Sequence, residues 1–145
     1  MLPDFDATGN LVPGIHVATL DEVGAIFAGN PHRRWLFEGV RMAVDPLSRA
    51  HCSRIYLDGS FVSTKPFPSD YDACYELSGM NLQELRKIEP VFFEFSSKRA
   101  AQKAKFRGEW FPAEMQETKS GITFLDFFRI DRNTGGAKGI VALEI

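Results

Sequence analysis

The sequence predicts a single α+β domain, and three observations carry that prediction. At 145 residues the chain has the length of one domain with room for a substantial core. Short apolar stretches of strand character recur along it, some alternating with period two. Between them lie stretches with apolar residues at helical spacing, opened by Thr or Asn and closed by Gly or Pro, which read as capped helices. Hydrophobic residues make up 44% of the chain and Phe alone occurs 13 times, so the core is expected to be rich in aromatic side chains.

Residues 1–19 carry Pro3, Gly9, Asn10, Pro13 and Gly14 and read as an irregular lead-in that packs Leu11, Val12 and Ile15 onto the body. His16 stands alone and reads as structural or surface. Thr19 caps a helix over 20–28 with Glu22 as its capping-box partner, and Gly29 closes it. Asn30 caps the main helix with Pro31 in its first turn, and Pro46 is expected to kink or break it, leaving 47–50 as a final turn. Arg33 and Arg34 could approach a phosphate, but read first as part of its solvated face. A strand over 54–57 stops at Asp58-Gly59, and a second opens with Asp70, Tyr71 and Asp72 and runs to Leu77. Asn81 caps a helical piece through Lys87, and Pro90 starts a third strand over 91–95. Ser96 caps a basic helix containing Lys98, Arg99, Lys103, Lys105 and Arg107. Residues 113–121 read as polar loop, 122–130 as a buried helix with Asp126 on its polar side, 131–138 as turns and 139–145 as a closing strand.

Chemistry concentrates in 54–76. Gly59 can take backbone angles closed to other residues and lets a ligand approach the main chain, while Ser60 is suited to begin a helical turn with free N–H groups. A strand that hands over to such a turn is a ready phosphate seat. Strand periodicity puts Asp70 and Asp72 on one face, where two carboxylates repel unless a cation relieves them. Oxygen-only ligands on a rigid strand suit Mg²⁺ or Mn²⁺. Gly-Ser and Asp-x-Asp are each common turn chemistry; specificity comes from their combination, nine residues apart between two apolar strands.

That combination, with Ser69 directly ahead of the aspartates, resembles the signature of the DNA polymerase beta-like nucleotidyltransferase superfamily, which includes the minimal nucleotidyltransferases of bacterial toxin–antitoxin pairs. The resemblance implies a mixed β-sheet flanked by helices. It implies that Gly59 and Ser60 seat the phosphates of a nucleoside triphosphate, with Lys65 and Ser69 beside them, and that Asp70 and Asp72 bind metal. It further implies a third carboxylate on a following strand, for which Glu94 is the best match and Asp126 the reserve. Two departures stand out: Phe61 occupies a place where many relatives carry a small or basic residue, and Lys65 is the only cation between Val62 and Pro68. Over nearly its whole length the chain also resembles a set of small uncharacterised bacterial proteins. These share an opening such as Gly14-Ile15-His16, a Tyr56-Leu57-Asp58-Gly59-Ser60-Phe61 core and a Lys138-Gly139-Ile140-Val141 ending.

The expected activity is therefore metal-dependent transfer of a nucleoside monophosphate from a triphosphate to a hydroxyl. A net charge of −2 argues against gripping nucleic acid across the whole surface, and the basic stretch at 98–107 reads mainly as a solvated face. Cys52 and Cys74 lack metal-ligand spacing and read as buried thiols. The first residues lack the pattern of a signal peptide and no apolar run is long enough to span a bilayer, so a cytoplasmic protein without membrane contact is expected. Larger superfamily members hold base and acceptor with additional domains, for which this chain has little room. It is expected either to act on a partner that brings its own recognition, a protein side chain or an RNA end, or to assemble with another copy of itself. The competing expectation is a non-catalytic module of the same fold acting through a protein partner. An active site needs both aspartates and a third carboxylate within metal-bridging distance; Asp70 and Asp72 facing different ways, or Glu94 and Asp126 both lying far off, would reject the catalytic expectation.

Overall fold

In the computed structural model, which describes residues 2–145, five strands form one mixed sheet. Met1, the first residue of the expected lead-in, lies outside the described residues. The strands are β1 (Gly14–Ala18), β2 (Arg54–Asp58), β3 (Tyr71–Tyr75), β4 (Gly108–Pro112) and β5 (Gly139–Glu144), in the spatial order β1-β5-β2-β3-β4. β1 with β5 and β3 with β4 pair parallel, while β2 runs antiparallel to both β3 and β5. With its flanking helices this is a single α+β domain.

The helix starts follow the capping residues. Thr19 accepts a hydrogen bond from the Glu22 N–H and Glu22 answers it, so α1 (Leu20–Phe27) opens on a capping box. Asn30 accepts from the Arg33 N–H at the head of α2 (Pro31–Arg49), and Asn81 from the Glu84 N–H at the head of α3 (Leu82–Ile88). Contrary to expectation, α2 runs through Pro46 without a break. Pro46 sits in the penultimate turn, where the carbonyl left without a partner belongs to the exposed Met42 and water can reach it.

Three further expectations are corrected. The lead-in contains β1, an edge strand with half-exposed Ile15 and Val17 on one face, whose pattern is masked by the Pro13-Gly14 turn before it. Residues 91–95 are not a strand: Pro90–Phe93 form a 3₁₀ turn that buries Phe92, and the sheet position beside β3 is taken by β4. Gln102, fully buried in α4 (Ser96–Phe106), locks this arrangement by donating to the Phe92 carbonyl at 3.2 Å and accepting from the Trp110 N–H at 2.8 Å. Ser96 does not cap α4, which begins with Ser97, Lys98 and Arg99 in the left-handed region. The expected buried helix over 122–130 shrinks to α5 (Phe124–Phe127).

One face of the sheet, with Ile55, Leu57, Tyr71, Tyr75, Trp110 and Leu143, packs on α2 through Leu36, Val40 and Leu47. α2 and the end of α4 approach closely because a side chain at Gly39 would strike the Phe106 carbonyl. The other face, with Tyr56, Cys74, Phe111, Ile140 and Ala142, is covered by Ala113 and the Phe124, Phe127 and Phe128 cluster. Both cysteines are buried and free, as expected. Among the described residues no helix is long and apolar enough to cross a membrane.

Arg33 does not belong to a solvated face. It is buried and donates to five main-chain carbonyls: Phe27 at 2.9 Å, Phe61 at 2.6 Å, Ser63 at 2.9 Å, Ser60 at 3.3 Å and Lys65. No shorter or more flexible side chain presents a planar fork of donors at that depth. Arg33→Gln leaves several of these carbonyls without donors, and we expect it to lower the unfolding free energy by about 3 kcal/mol. The exposed Arg34→Gln is expected to stay within about 0.5 kcal/mol of wild type. Urea denaturation of the two variants checks this, and equal midpoints would reject the role given to Arg33.

Candidate active site

The second face of the sheet ends in carboxylates. Asp58, the last residue of β2, stands opposite Asp72 of β3, and Asp72 stands opposite Glu109 of β4. One row of register thus carries three acidic side chains on three adjacent strands, a strand spacing of about 4.8 Å apart. Asp70, two residues before Asp72, shares its face. The row is incompletely neutralised. Lys138 lies 3.2 Å from Asp58 at one end, and Lys103 lies 3.1 Å from Glu109 and 4.0 Å from Asp70 at the other. Asp72, in the middle, has no ion-pair partner among the described residues.

The titration of these groups follows from that placement. Burial, then repulsion from Asp58, Asp70 and Glu109, pushes the Asp72 carboxyl up to about 7. Burial also raises Asp58, against the pull of Lys138, and Asp70, against the pull of Lys103. Asp58 is 3% exposed, and the Lys138 ammonium is the cation that faces its Oδ1.

Gly59 joins the row to the turn that follows. Its φ of 81° belongs to the left-handed side of the map, and a Cβ there would stand 2.9 Å from Asp72 Oδ2. Conformation and space both demand glycine. The turn itself is a single 3₁₀ turn, Ser60–Val62, rather than a longer helix, and no side chain caps it. Phe61, the departure noted in the sequence, is fully buried, with its ring against Phe27 and Tyr71 and the Arg33 guanidinium 5.4 Å from its centre. It anchors the turn in the core, which leaves Ser60 at the surface of a cleft.

Two clefts meet at Asp72. The first, about 360 Å³, is lined by Gly59, Ser60, Ser63 and Lys65, with Arg132 and Lys138 opposite. The second, about 770 Å³, is lined by Asp70, Glu109, Lys98, Arg99, Phe111 and Phe124, among others. Asp72, Phe127, Phe128 and Arg132 border both.

Of the residues expected from the sequence, Gly59, Ser60, Lys65 and Asp72 meet in the first cleft, and Asp70 joins Asp72 in the second. Ser69 and Glu94 line neither. Glu94 is exposed where the Pro90–Phe93 turn ends, because the run 91–95 is a turn and not a strand. Asp126, the reserve, is exposed and pairs with Arg129 at 3.7 Å. Neither Glu94 nor Asp126 therefore converges with the aspartates as a metal site would require; the carboxylates that the sheet register sets opposite Asp72 are Asp58 and, unread in the sequence, Glu109. Its signal in the sequence was faint: in Gly-Glu-Trp-Phe-Pro only the alternation of Glu109 with buried Gly108 and Trp110 marks a strand.

The basic stretch is not one open patch. Lys105 pairs with Glu89 at 2.7 Å, and Arg107 donates to the Trp35 carbonyl and lies over its ring. Arg99 donates to the Trp110 carbonyl and rests 3.9 Å from the centre of Phe111. The left-handed turn brings only Lys98 and Arg99 to the second cleft.

Carboxylate oxygens are the donors a hard divalent cation takes, although the buried Asp58 Oδ1 already faces the Lys138 ammonium at 3.2 Å. Among the described residues, however, no three or more His, Cys, Asp or Glu side chains are gathered closely enough to form a ready metal cage. A family model described as a family of unknown function, DUF6932, matches residues 3–144. No curated protein and no solved structure matches the chain.

The raised Asp72 carboxyl has a stability consequence with a definite sign. The unfolded chain releases that proton near 3.8 and the folded chain near 7, so between them the folded state binds more protons and stability falls as pH rises. Asp72→Asn removes this penalty. In metal-free buffer the variant is expected to exceed wild type by roughly 1–3 kcal/mol at about pH 8, with a smaller gain at about pH 5. Denaturant titrations at both pH values measure it, and a pH-independent difference would contradict the assignment.

Proposed function

The chain belongs to the family of unknown function DUF6932, and we propose from the site itself that it is a metal-dependent nucleotidyltransferase. One observation carries the reading: the Asp58–Asp72–Glu109 row, with Asp70 beside it, borders a Gly-Ser turn at the junction of two clefts. In this reading the first cleft takes the triphosphate and the second the acceptor hydroxyl, with Asp72 between them. The acceptor oxygen bonds to the α-phosphorus, the bond from that phosphorus to the bridging oxygen breaks, and pyrophosphate leaves. The hydroxyl proton passes to water or to a carboxylate beside the acceptor that is not engaged with the metal.

With no ready cage among the described residues, Asp70 and Asp72, with Glu109 beside them, would hold Mg²⁺ or Mn²⁺ only together with water and substrate phosphate oxygens, and the ion when bound would lower the acceptor pKa and offset charge on the leaving group. The strands hold these carboxylates on a rigid base, so the protein's own contribution is positioning and electrostatics. The acceptor is a protein side chain or an RNA end brought by a partner, as in a toxin–antitoxin pair, or by a second copy. The second cleft accommodates such a group beside Phe111 and Phe124. A specific observation favours a second reading: Lys103 and Lys138 already offset part of the carboxylate charge, as in a non-catalytic module that works through a protein partner.

Incubation with each labelled nucleoside triphosphate, Mg²⁺ or Mn²⁺ and a cell extract containing protein and RNA tests the proposal. Label is expected on a protein or RNA band with wild type, reduced by roughly 100-fold or more in Asp72→Asn and Glu109→Gln. Glu94→Gln is expected to transfer normally. Absence of transfer together with absence of metal-dependent triphosphate binding would leave the binding module as the better account.

A further inference from the structure

The turn after Gly59-Ser60 offers a single cation to phosphate, Lys65, which is little for a polyphosphate. The fold supplies others from far along the chain. Arg132 and Lys138 line the same cleft as Gly59, Ser60 and Lys65. We propose that Lys138, held over the buried Asp58 carboxylate, is the principal phosphate-binding cation of the first cleft, with Arg132 as its companion. The inference rests on the nucleotidyltransferase reading for its biological ligand, but the chemistry it assigns is that of any polyphosphate.

Lys138 is fixed from both sides. Its N–H donates to the Arg129 carbonyl at 2.9 Å, and the N–H of Gly139 donates to the Leu11 carbonyl at 3.0 Å. A side chain at 139 would collide with the Val12 carbonyl, so the start of β5 has one seating. The preceding turn is tied down as well, since Asn10 donates to Asp131 at 3.1 Å and Asp131 itself receives the Asn133 N–H at 2.8 Å.

The Lys138 ammonium lies 3.2 Å from Asp58 Oδ1 and lines the first cleft. An ammonium carries three donors, so the one that serves the buried carboxylate leaves two for an incoming phosphate oxygen. Arg132 is exposed and has no ion-pair partner among the described residues; its guanidinium lies 5.6 Å from the Phe127 ring centre. Asp58 acts only through Lys138 and is a positioning residue.

The test is calorimetric titration of the full chain with inorganic tripolyphosphate, with and without Mg²⁺. Lys138→Met is expected to bind about tenfold more weakly than wild type, or worse. The double variant Asp58→Asn/Lys138→Met removes both members of the pair together, so neither is left charged without the other, and it is expected to fold and to show the same loss. Lys87→Met, on α3 away from the cleft, is expected to bind like wild type. Wild-type affinity in the folded double variant, or no tripolyphosphate binding by wild type under either condition, overturns the proposal. A parallel titration with ATP identifies the source: an equal loss supports a nucleotide, and binding of tripolyphosphate alone supports a free polyphosphate. Because none of these readings requires turnover, failure of nucleotidyl transfer leaves this proposal standing. Transfer combined with unimpaired tripolyphosphate binding by Lys138→Met overturns this proposal alone.

Discussion

A guanidinium buried among main-chain carbonyls holds the site to the body of the protein. Arg33 reaches from the first turn of α2 and takes up the carbonyls of Ser60, Phe61, Ser63 and Lys65, together with Phe27 at the end of α1. Its neighbours extend the grip: Asn30 donates to the Pro66 carbonyl and His32 pairs with that of Pro68. One helix turn thus fixes nearly the whole segment between β2 and β3. That segment has no regular structure beyond one 3₁₀ turn, so its backbone needs external partners for its polar groups. The position of Gly59 against Asp72, and of Ser60 and Lys65 in the first cleft, depends on this anchorage. Arg33 does not line the cleft, yet removing a donor from it would disturb the cleft through the main chain of Ser60, Ser63 and Lys65.

Beneath the clefts, the sheet resolves a conflict of charge by geometry. Three carboxylates in one row of register repel one another, and like charges directly opposite are unfavourable in any sheet. The ends of the row are compensated by Lys138 and Lys103, which come from different parts of the chain. The centre is compensated by holding a proton on Asp72 up to about 7. A group kept in that condition is ready to exchange its proton for a cation. The two sheet faces divide the labour: one is given wholly to apolar packing on α2, and the other carries both the aromatic cover and the acids.

How much of this was legible in the sequence depended on whether the signal was local. The caps at Thr19, Asn30 and Asn81, the turn at Gly59 and the shared face of Asp70 and Asp72 are properties of a few adjacent residues, and they read correctly. Arg33 could not be read, because an arginine beside Arg34 on a helix looks solvated until the loop that folds over it is known. β1 escaped because it is a short, half-exposed edge strand, and β4, buried at every position but Glu109, because glycine and proline at its ends suggest turns. The apolar run 91–95 showed the reverse error: it is hydrophobic enough for a strand, yet Pro90 and the pairing of Gln102 with Phe92 and Trp110 make it a turn. Assigning the third carboxylate to Glu94 followed from that misreading. Glu109 becomes visible only once β4 is laid beside β3.

The order of strands across the sheet also bears on how the chain reaches this structure. β5, the last element in sequence, lies between β1 and β2, and its partner β1 is the first. The sheet cannot close its middle until residues 139–144 arrive to pair with β1, more than a hundred positions earlier, and with β2, more than eighty positions earlier. Closing a loop of that length costs entropy before any contact rewards it, which places the domain among slow folders of high contact order. Until then β1 has no partner and β2 shows a bare edge, both open to pairing with another chain. During synthesis Lys138 enters the first cleft with the strand that completes the sheet, so the cleft and the fold mature in the same step.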